Sequence, residues 1–313
     1  MTTLLLTHPV CLTHDMGAGH PEQPDRLRGI LKALEDPRFA GLRREESPVG
    51  TDDLLRLAHP EAHIRFIRET APKAPDGFAR IDEDTAMSHG TLEAALRAVG
   101  GGATAVDQVM AGKAKNAFLA VRPPGHHAEP ERAMGFCFFS TAAIAALYAK
   151  QRHGLERVAL VDFDVHHGNG SQAVLWSAKD VFFGSSHQMP LYPGTGAPTE
   201  TGASGNIVNA PLRPGEGRAA FREAWTSRIL PALDHHGFDL LLISAGFDAH
   251  RDDPLAQINL VEEDFAWITE ELCEAAEKRC NGRVVSFLEG GYDLAALARS
   301  VAAHVGVLME AGA

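Results

Sequence analysis

Several features are scarce or missing in this chain of 313 residues, and each absence removes a class of function. The four cysteines, Cys11, Cys137, Cys273 and Cys280, are scattered and include no C-x-x-C pair, so neither a disulfide framework nor a cysteine zinc site is expected. Lys and Arg number 29 against 41 Asp and Glu, a net charge of −12 with His neutral, and no segment gathers the cations into a basic patch. Nucleic acid is therefore not expected as a direct ligand. No uninterrupted apolar stretch approaches the roughly 20 residues of a membrane helix. The run Leu4-Leu5-Leu6 has no basic leader and is cut by His8-Pro9, so it reads as a first strand and not a signal peptide. A soluble, cytoplasmic protein is expected. Ser/Gly/Pro-rich linkers, internal repeats and low-complexity tracts are also missing, which points to a single domain over 1–313. Tyr and Trp contribute only three residues each, whereas His contributes 16. His is the side chain most used for metal ligation and for proton transfer near neutral pH, so this excess is the first feature to explain.

With 45% hydrophobic and 22% charged residues the chain can close a sizeable core. From about residue 116, short β-branched or aromatic runs alternate with helical periodicity, which predicts an α/β fold with a central, predominantly parallel sheet and helices on both faces. Strands are expected at 117–121, 158–163, 181–185, 240–244 and 284–288. Helices are expected at 24–34, 60–69, 90–110, 140–151, 218–234, 262–279 and 294–309. The run Gly100-Gly101-Gly102 argues against the continuity of the third of these. Loops at 71–75 and 188–198 read as surface insertions.

Four motifs follow four of the predicted strands. They are Arg122-Pro-Pro-Gly-His126-His127, Asp162-Phe-Asp164-Val-His166-His167-Gly-Asn169-Gly, Ala-Gly-Phe-Asp248, and Glu289-Gly290-Gly291-Tyr292. Open α/β sheets bind ligands beyond the carboxyl ends of their strands, so a parallel sheet brings all four motifs to one rim. Asp164 and His166, separated by one residue at a strand end, are expected on the same side, where Asp248 joins them. Two carboxylates and one imidazole leave an open fourth position, the arrangement of a catalytic zinc that binds and acidifies water; the oxygen-rich set also suits Fe(II). His126 and His127 beside such a metal supply a general base and a general acid, with Asp162 and Asn169 available to fix their tautomers. An acid behind one His and a neutral amide behind the other separates their proton affinities. Tyr292 on its Gly-Gly turn is a candidate oxyanion donor. Phe136 and Tyr192 are candidate walls for a slender apolar chain, or core residues. His167, His235, His236 and His250 lack such a context and read as structural or exposed.

In order and spacing these motifs, together with His20-Pro21-Glu22-Gln23-Pro24-Asp25-Arg26-Leu27, resemble the zinc-dependent histone deacetylase family. The likeness is strongest to its class II and bacterial amidohydrolase branches. The resemblance implies the arginase/deacetylase fold and hydrolysis of acetylated lysines or amines at a zinc held by Asp164, His166 and Asp248. It implies His127 as principal general base and acid, His126 backed by Asp162 as electrostatic partner, and Tyr292 as carbonyl-polarising donor. Gly135, Phe136 and Tyr192 match the acyl-lysine tunnel, and Arg26 the arginine near an internal acetate channel. A structural potassium site falls, by the same likeness, on Asp162, Asp164, His166, Ser185 and Ser186. Asn169 stands where class I members usually carry Asp.

The substrate expected is an acetylated lysine of a peptide or protein, or an acetylated small amine, with homo-oligomerisation left open. Polyamine-selecting relatives place Glu after the Asp-Pro of the third motif, where this chain has Leu255, which tilts the reading toward acyl-lysine. An acetylpolyamine hydrolase remains the first alternative. A binuclear manganese ureohydrolase or a non-catalytic acyl-lysine binder fits the motifs less well.

Overall fold

The computed structural model describes residues 2–313. Its first third runs β1 (Thr3–Thr7), α1 (Pro24–Ala33), β2 (Arg43–Glu46), α2 (Asp52–Leu55), α3 (Glu61–Thr70), the hairpin β3 (Phe78–Arg80) and β4 (Ala86–Ser88), and α4 (Thr91–Met110). An alternating pattern follows: β5 (Asn116–Leu119), α5 (Thr141–His153), β6 (Val158–Asp162), α6 (Asn169–Leu175), β7 (Val181–Gln188) and β8 (Ile207–Leu212). The chain ends through α7 (Arg218–Ala224), α8 (Leu230–His236), β9 (Leu241–Ala245), α9 (Glu262–Cys280), β10 (Val284–Leu288) and α10 (Leu294–Gly312).

The main sheet has the order β2-β1-β5-β10-β9-β6-β7-β8, and every pairing in it is parallel. Its four central strands, β5, β10, β9 and β6, are buried along their whole length, as their near-continuous apolar sequences require. Adjacent strand residues face opposite sides. Phe118 and Ser286 meet His304 of α10, while Leu119 and Phe287 lie against Gly101 and Gly102 of α4, so these two helices cover opposite faces. These four strands carry the four motifs.

Three expectations change. The 90–110 helix is continuous despite its three glycines, because there the missing side chains permit close packing. A Cβ on Gly100 would collide with the backbone of Pro48 and Gly50, and one on Gly101 with the Ser47 side chain. The helix expected at 218–234 is divided by a π turn at Trp225–Ile229. This turn directly precedes α8, whose second residue, Pro231, lacks an amide hydrogen for the regular ladder. Finally, α10 is long and apolar enough to cross a bilayer by length and composition, although no such segment was evident in the sequence. It packs instead against α1, α9 and the sheet, with half of its apolar window buried inside the fold.

Candidate active site

Asp164 and His166 do not sit on the strand itself; they occupy the bend that follows β6. Their convergence arises from side-chain turns and not from strand alternation. The Asp164 amide donates to Asp162 Oδ1 (3.0 Å), the His166 amide to Asp164 Oδ1 (2.9 Å), and the Val165 amide to Asp248 Oδ1 (2.8 Å). The last bond ties the β6 loop to the β9 loop. The Gly290 amide, after β10, donates to Asp164 Oδ2 (2.8 Å), and a side chain at Gly290 would run into both carboxylates.

Asp164, His166 and Asp248 are buried, and each offers a ligand atom within 4.8 Å of the others. His166 Nδ1 lies 3.2 Å from Asp164 Oδ1 and 3.0 Å from Asp248 Oδ2. Tetrahedral bonds of about 2.0–2.1 Å place neighbouring ligands roughly 3.3 Å apart, so the donor set fits a small divalent ion. Charge agrees with size. Glu22, Asp162, Asp164, Asp248 and Glu289 are all buried, and the buried guanidinium groups beside them are Arg26 and Arg122 alone among the described residues. Such an excess of buried carboxylate calls for a cation. Burial opposes a charge on His166, yet its bonds to Asp164 and Asp248 outweigh that and raise its pKa to about 10. The same carboxylates attract positive charge to this point.

The two histidines of the β5 loop are held differently. His126 Nδ1 pairs with Asp162 Oδ2 (3.0 Å), and His127 Nδ1 with Asn169 Oδ1 (2.7 Å). Asn169 donates through Nδ2 to Glu129 Oε1 (2.8 Å), which fixes its oxygen toward His127. His127 therefore carries its hydrogen on Nδ1 and leaves Nε2 free as a base. Burial works against the charged form of His126, but Asp164 and Asp162 overcome it and hold its pKa well above the ordinary value. Burial, reinforced by the charges of His126 and His166, holds His127 well below it. The separation expected from an acid behind one ring and an amide behind the other is present. Glu289, which the sequence reading left without a role, supports the pair from below. It accepts from the Gly125 amide (2.7 Å), the His126 amide (3.2 Å) and the Ser244 hydroxyl (3.0 Å).

Above these groups opens a cavity of about 220 Å³ with His127 and His166 among its lining residues. Phe136, Tyr192, Gly135, Leu255 and Tyr292 line it as well, joined by Asp84 and Leu191, which carry no motif in the sequence. Tyr192 stands edge-on to His127 (5.2 Å) and Phe136 edge-on to Tyr292 (5.9 Å). Phe136 has φ 70°, a left-handed conformation costly for a bulky residue and tolerated where surrounding structure enforces it. Gly135 before it has φ 56°, and a Cβ there would strike the His127 ring.

The segment 188–198 lies largely at the surface, as its sequence suggests, and is at the same time a fastened wall of this cavity. Thr195 Oγ1 bonds His167 Nδ1 (2.7 Å), the Gly196 carbonyl lies 3.0 Å from His187 Nε2, and Glu200 accepts from the amides of Gly196 and Ala197. His167 and His250 are buried structural residues, while His235 is exposed and His236 half-buried.

Arg26 lies behind Tyr292 with its guanidinium 4.9 Å from the ring centre. It donates to the Gly291 carbonyl (2.6 Å), the Glu289 carbonyl (2.6 Å) and Glu22 Oε1 (3.0 Å). Glu22 also receives Arg122; the sequence shows it only as a member of the His20–Leu27 segment, with no role attached. Ser185 neighbours Asp162 in the β6–β7 register. Its hydroxyl bonds His187 Nδ1 (2.9 Å), and that of Ser186 accepts from Trp225 Nε1 (3.0 Å).

A histone deacetylase domain matches residues 20–308. A histone deacetylase-like amidohydrolase of Pseudomonas aeruginosa is 40% identical over 88% of this chain and 73% of its own. A probable deacetylase of Archaeoglobus fulgidus is 36% identical over 94% and 82%. An uncharacterised protein of Synechocystis is 40% identical over 93% and 94%. The crystal structure of the HDA15 HD domain superposes with a TM-score of 0.92 at 34% identity, covering 99% of this chain and 88% of that one. The architecture is thus the arginase/deacetylase fold, and the chain belongs to the histone deacetylase family as a hydrolase of the deacetylase class.

Proposed function

We propose that this protein is a zinc-dependent amidohydrolase that removes acetyl groups from acetyl-lysine side chains or related acetylated amines. The observation that carries the reading is the pair of histidines with opposed proton affinities beside the buried Asp164, His166 and Asp248, at an aromatic-walled cavity. Zinc held by these three residues, or Fe(II) in its place, supplies Lewis-acid polarisation of the acyl carbonyl and lowers the pKa of water.

The chain's own groups do the rest. Phe136 and Tyr192 hold the extended side chain of the substrate and exclude water from it. Tyr292 donates its phenol hydrogen to the carbonyl oxygen as negative charge develops there. Neutral His127 takes the proton released when water adds to the carbonyl, and returns it to the leaving amine. His126, kept cationic by Asp162, stabilises the negative charge of the addition step. Leu255 presents an apolar side chain at the cavity wall, which favours acyl-lysine. Asp84 on the same wall supports the second reading, a cationic acetylpolyamine.

We assign potassium to the surroundings of Asp162, Asp164, His166, Ser185 and Ser186. We further read 1–313 as one catalytic domain working in the cytoplasm without nucleic acid. Comparing kcat/KM for an acetyl-lysine peptide and for N-acetylputrescine tests the substrate assignment. The peptide is expected to be preferred; a large preference for the polyamine overturns it.

A further inference from the structure

Tyr292 is carried by a segment with little rigidity of its own. Gly290 and Gly291 precede it, and Gly291 has φ +122°, a backbone state open mainly to glycine. The position of the phenol therefore depends on what grips the backbone around it. The Gly290 amide is held by Asp164 and the Gly291 carbonyl by Arg26. The Tyr292 amide is held by Asp253, whose Oδ2 accepts from it at 2.8 Å.

Asp253 is built for this task. It lies on the β9 loop, five residues past Asp248, and is more than nine-tenths buried. Its own amide donates to the His250 carbonyl (2.9 Å), and its second oxygen, Oδ1, accepts from the Leu255 amide (3.0 Å). Both carboxylate oxygens are thus committed, one to its own loop and one to the tyrosine loop. An asparagine has the same size but a single acceptor oxygen, so it would leave an amide facing one of the two N–H groups.

We propose that Asp253 is a positioning residue that fixes Tyr292 for catalysis by clamping its amide to the loop of Asp248. This rests on the role of Tyr292 proposed above. The test is a double-substitution cycle on the metal-loaded full chain with an acetyl-lysine peptide as substrate, using Asp253→Asn, Tyr292→Phe and the pair. Asp253→Ser serves as a second variant, and metal content and Tm are measured throughout. Tyr292→Phe is expected to lower kcat by about 100-fold. Asp253→Asn is expected to lower kcat by about tenfold with metal content retained, and by no further factor once Tyr292 is Phe. A wild-type kcat in both Asp253 variants, or a loss that persists undiminished beside Tyr292→Phe, overturns the inference and leaves the role of Tyr292 standing. A wild-type kcat in Tyr292→Phe overturns that role, and the inference falls with it.

Discussion

Asn169 decides the chemistry of His127 with one atom. Its carbonyl oxygen receives the Nδ1 hydrogen without bringing a negative charge, while Asp162 brings one to His126. Replacing Asn169 by Asp would place a carboxylate 2.7 Å from a ring now held neutral, and a carboxylate favours the imidazolium. The account predicts that the acidic limb of the kcat/KM profile moves to higher pH in Asn169→Asp, because His127 must lose that proton to act as base. A limb that stays in place contradicts the assignment. Tyr292→Phe, with its expected loss of about 100-fold in kcat, addresses the oxyanion donor in the same way. The motif residues were legible because each sits in a short pattern of unusual composition. The supporting roles of Glu22, Glu129, Glu289, Asp253 and Asp84 were not, even where the residue stands inside a motif, since a single acid among 41 carries no local sign of its distant partner. Contacts such as Glu289 to Gly125, 164 residues apart, exist only once the sheet has formed.

The element scale shows why some secondary structure was readable and some was not. Strands β5, β6, β9 and β10 are buried on both faces and so are near-continuously apolar, broken only by Asn116, Asp162, Ser244 and Ser286. β2, with the sequence Arg-Arg-Glu-Glu, forms an edge and hides nothing that periodicity could detect. The three-residue strands β3 and β4 are too short to show a period, and Pro211 interrupts the signal of β8. The anchoring of the Tyr192 segment was not legible because its partners, His167, His187 and Glu200, lie outside it. Cutting one anchor should loosen the wall without touching the chemistry. Thr195→Val removes one hydrogen bond worth about 1 kcal/mol, so KM for an acetyl-lysine peptide should rise about fivefold with kcat little changed. An unchanged KM would show that the segment is held without it.

At the scale of the whole molecule, the histidine excess divides into two populations. Three histidines are assigned to the site, and several others are buried and kept neutral by desolvation. Burial lowers His304 to about 3; His59 and His187 go to about 4, His59 helped by neighbouring His63. In the unfolded chain each titrates near 6.5, so below that pH the unfolded state binds protons that the folded state refuses. The stability contributed by these histidines is therefore full above about pH 6.5 and is lost as pH falls, each contributing about 1.4 kcal/mol per pH unit until its folded pKa is reached. Urea unfolding at pH 7 and 5.5 should show this decline, and His304→Gln should reduce its slope. A pH dependence that is the same in His304→Gln as in the native chain contradicts it. The net charge of −12 also acquires structure, because part of it lies buried around Asp164 and Asp248, where it suits a cation. The central claim is that this cluster holds one catalytic metal. Its most direct test is metal analysis of the purified protein together with hydrolysis of an acetyl-lysine peptide, for the native chain and for Asp248→Asn. One zinc or iron per chain with turnover, both lost in the variant, is the predicted result; two manganese ions per chain, or a full metal site that turns over no acetylated lysine or amine, contradicts the account.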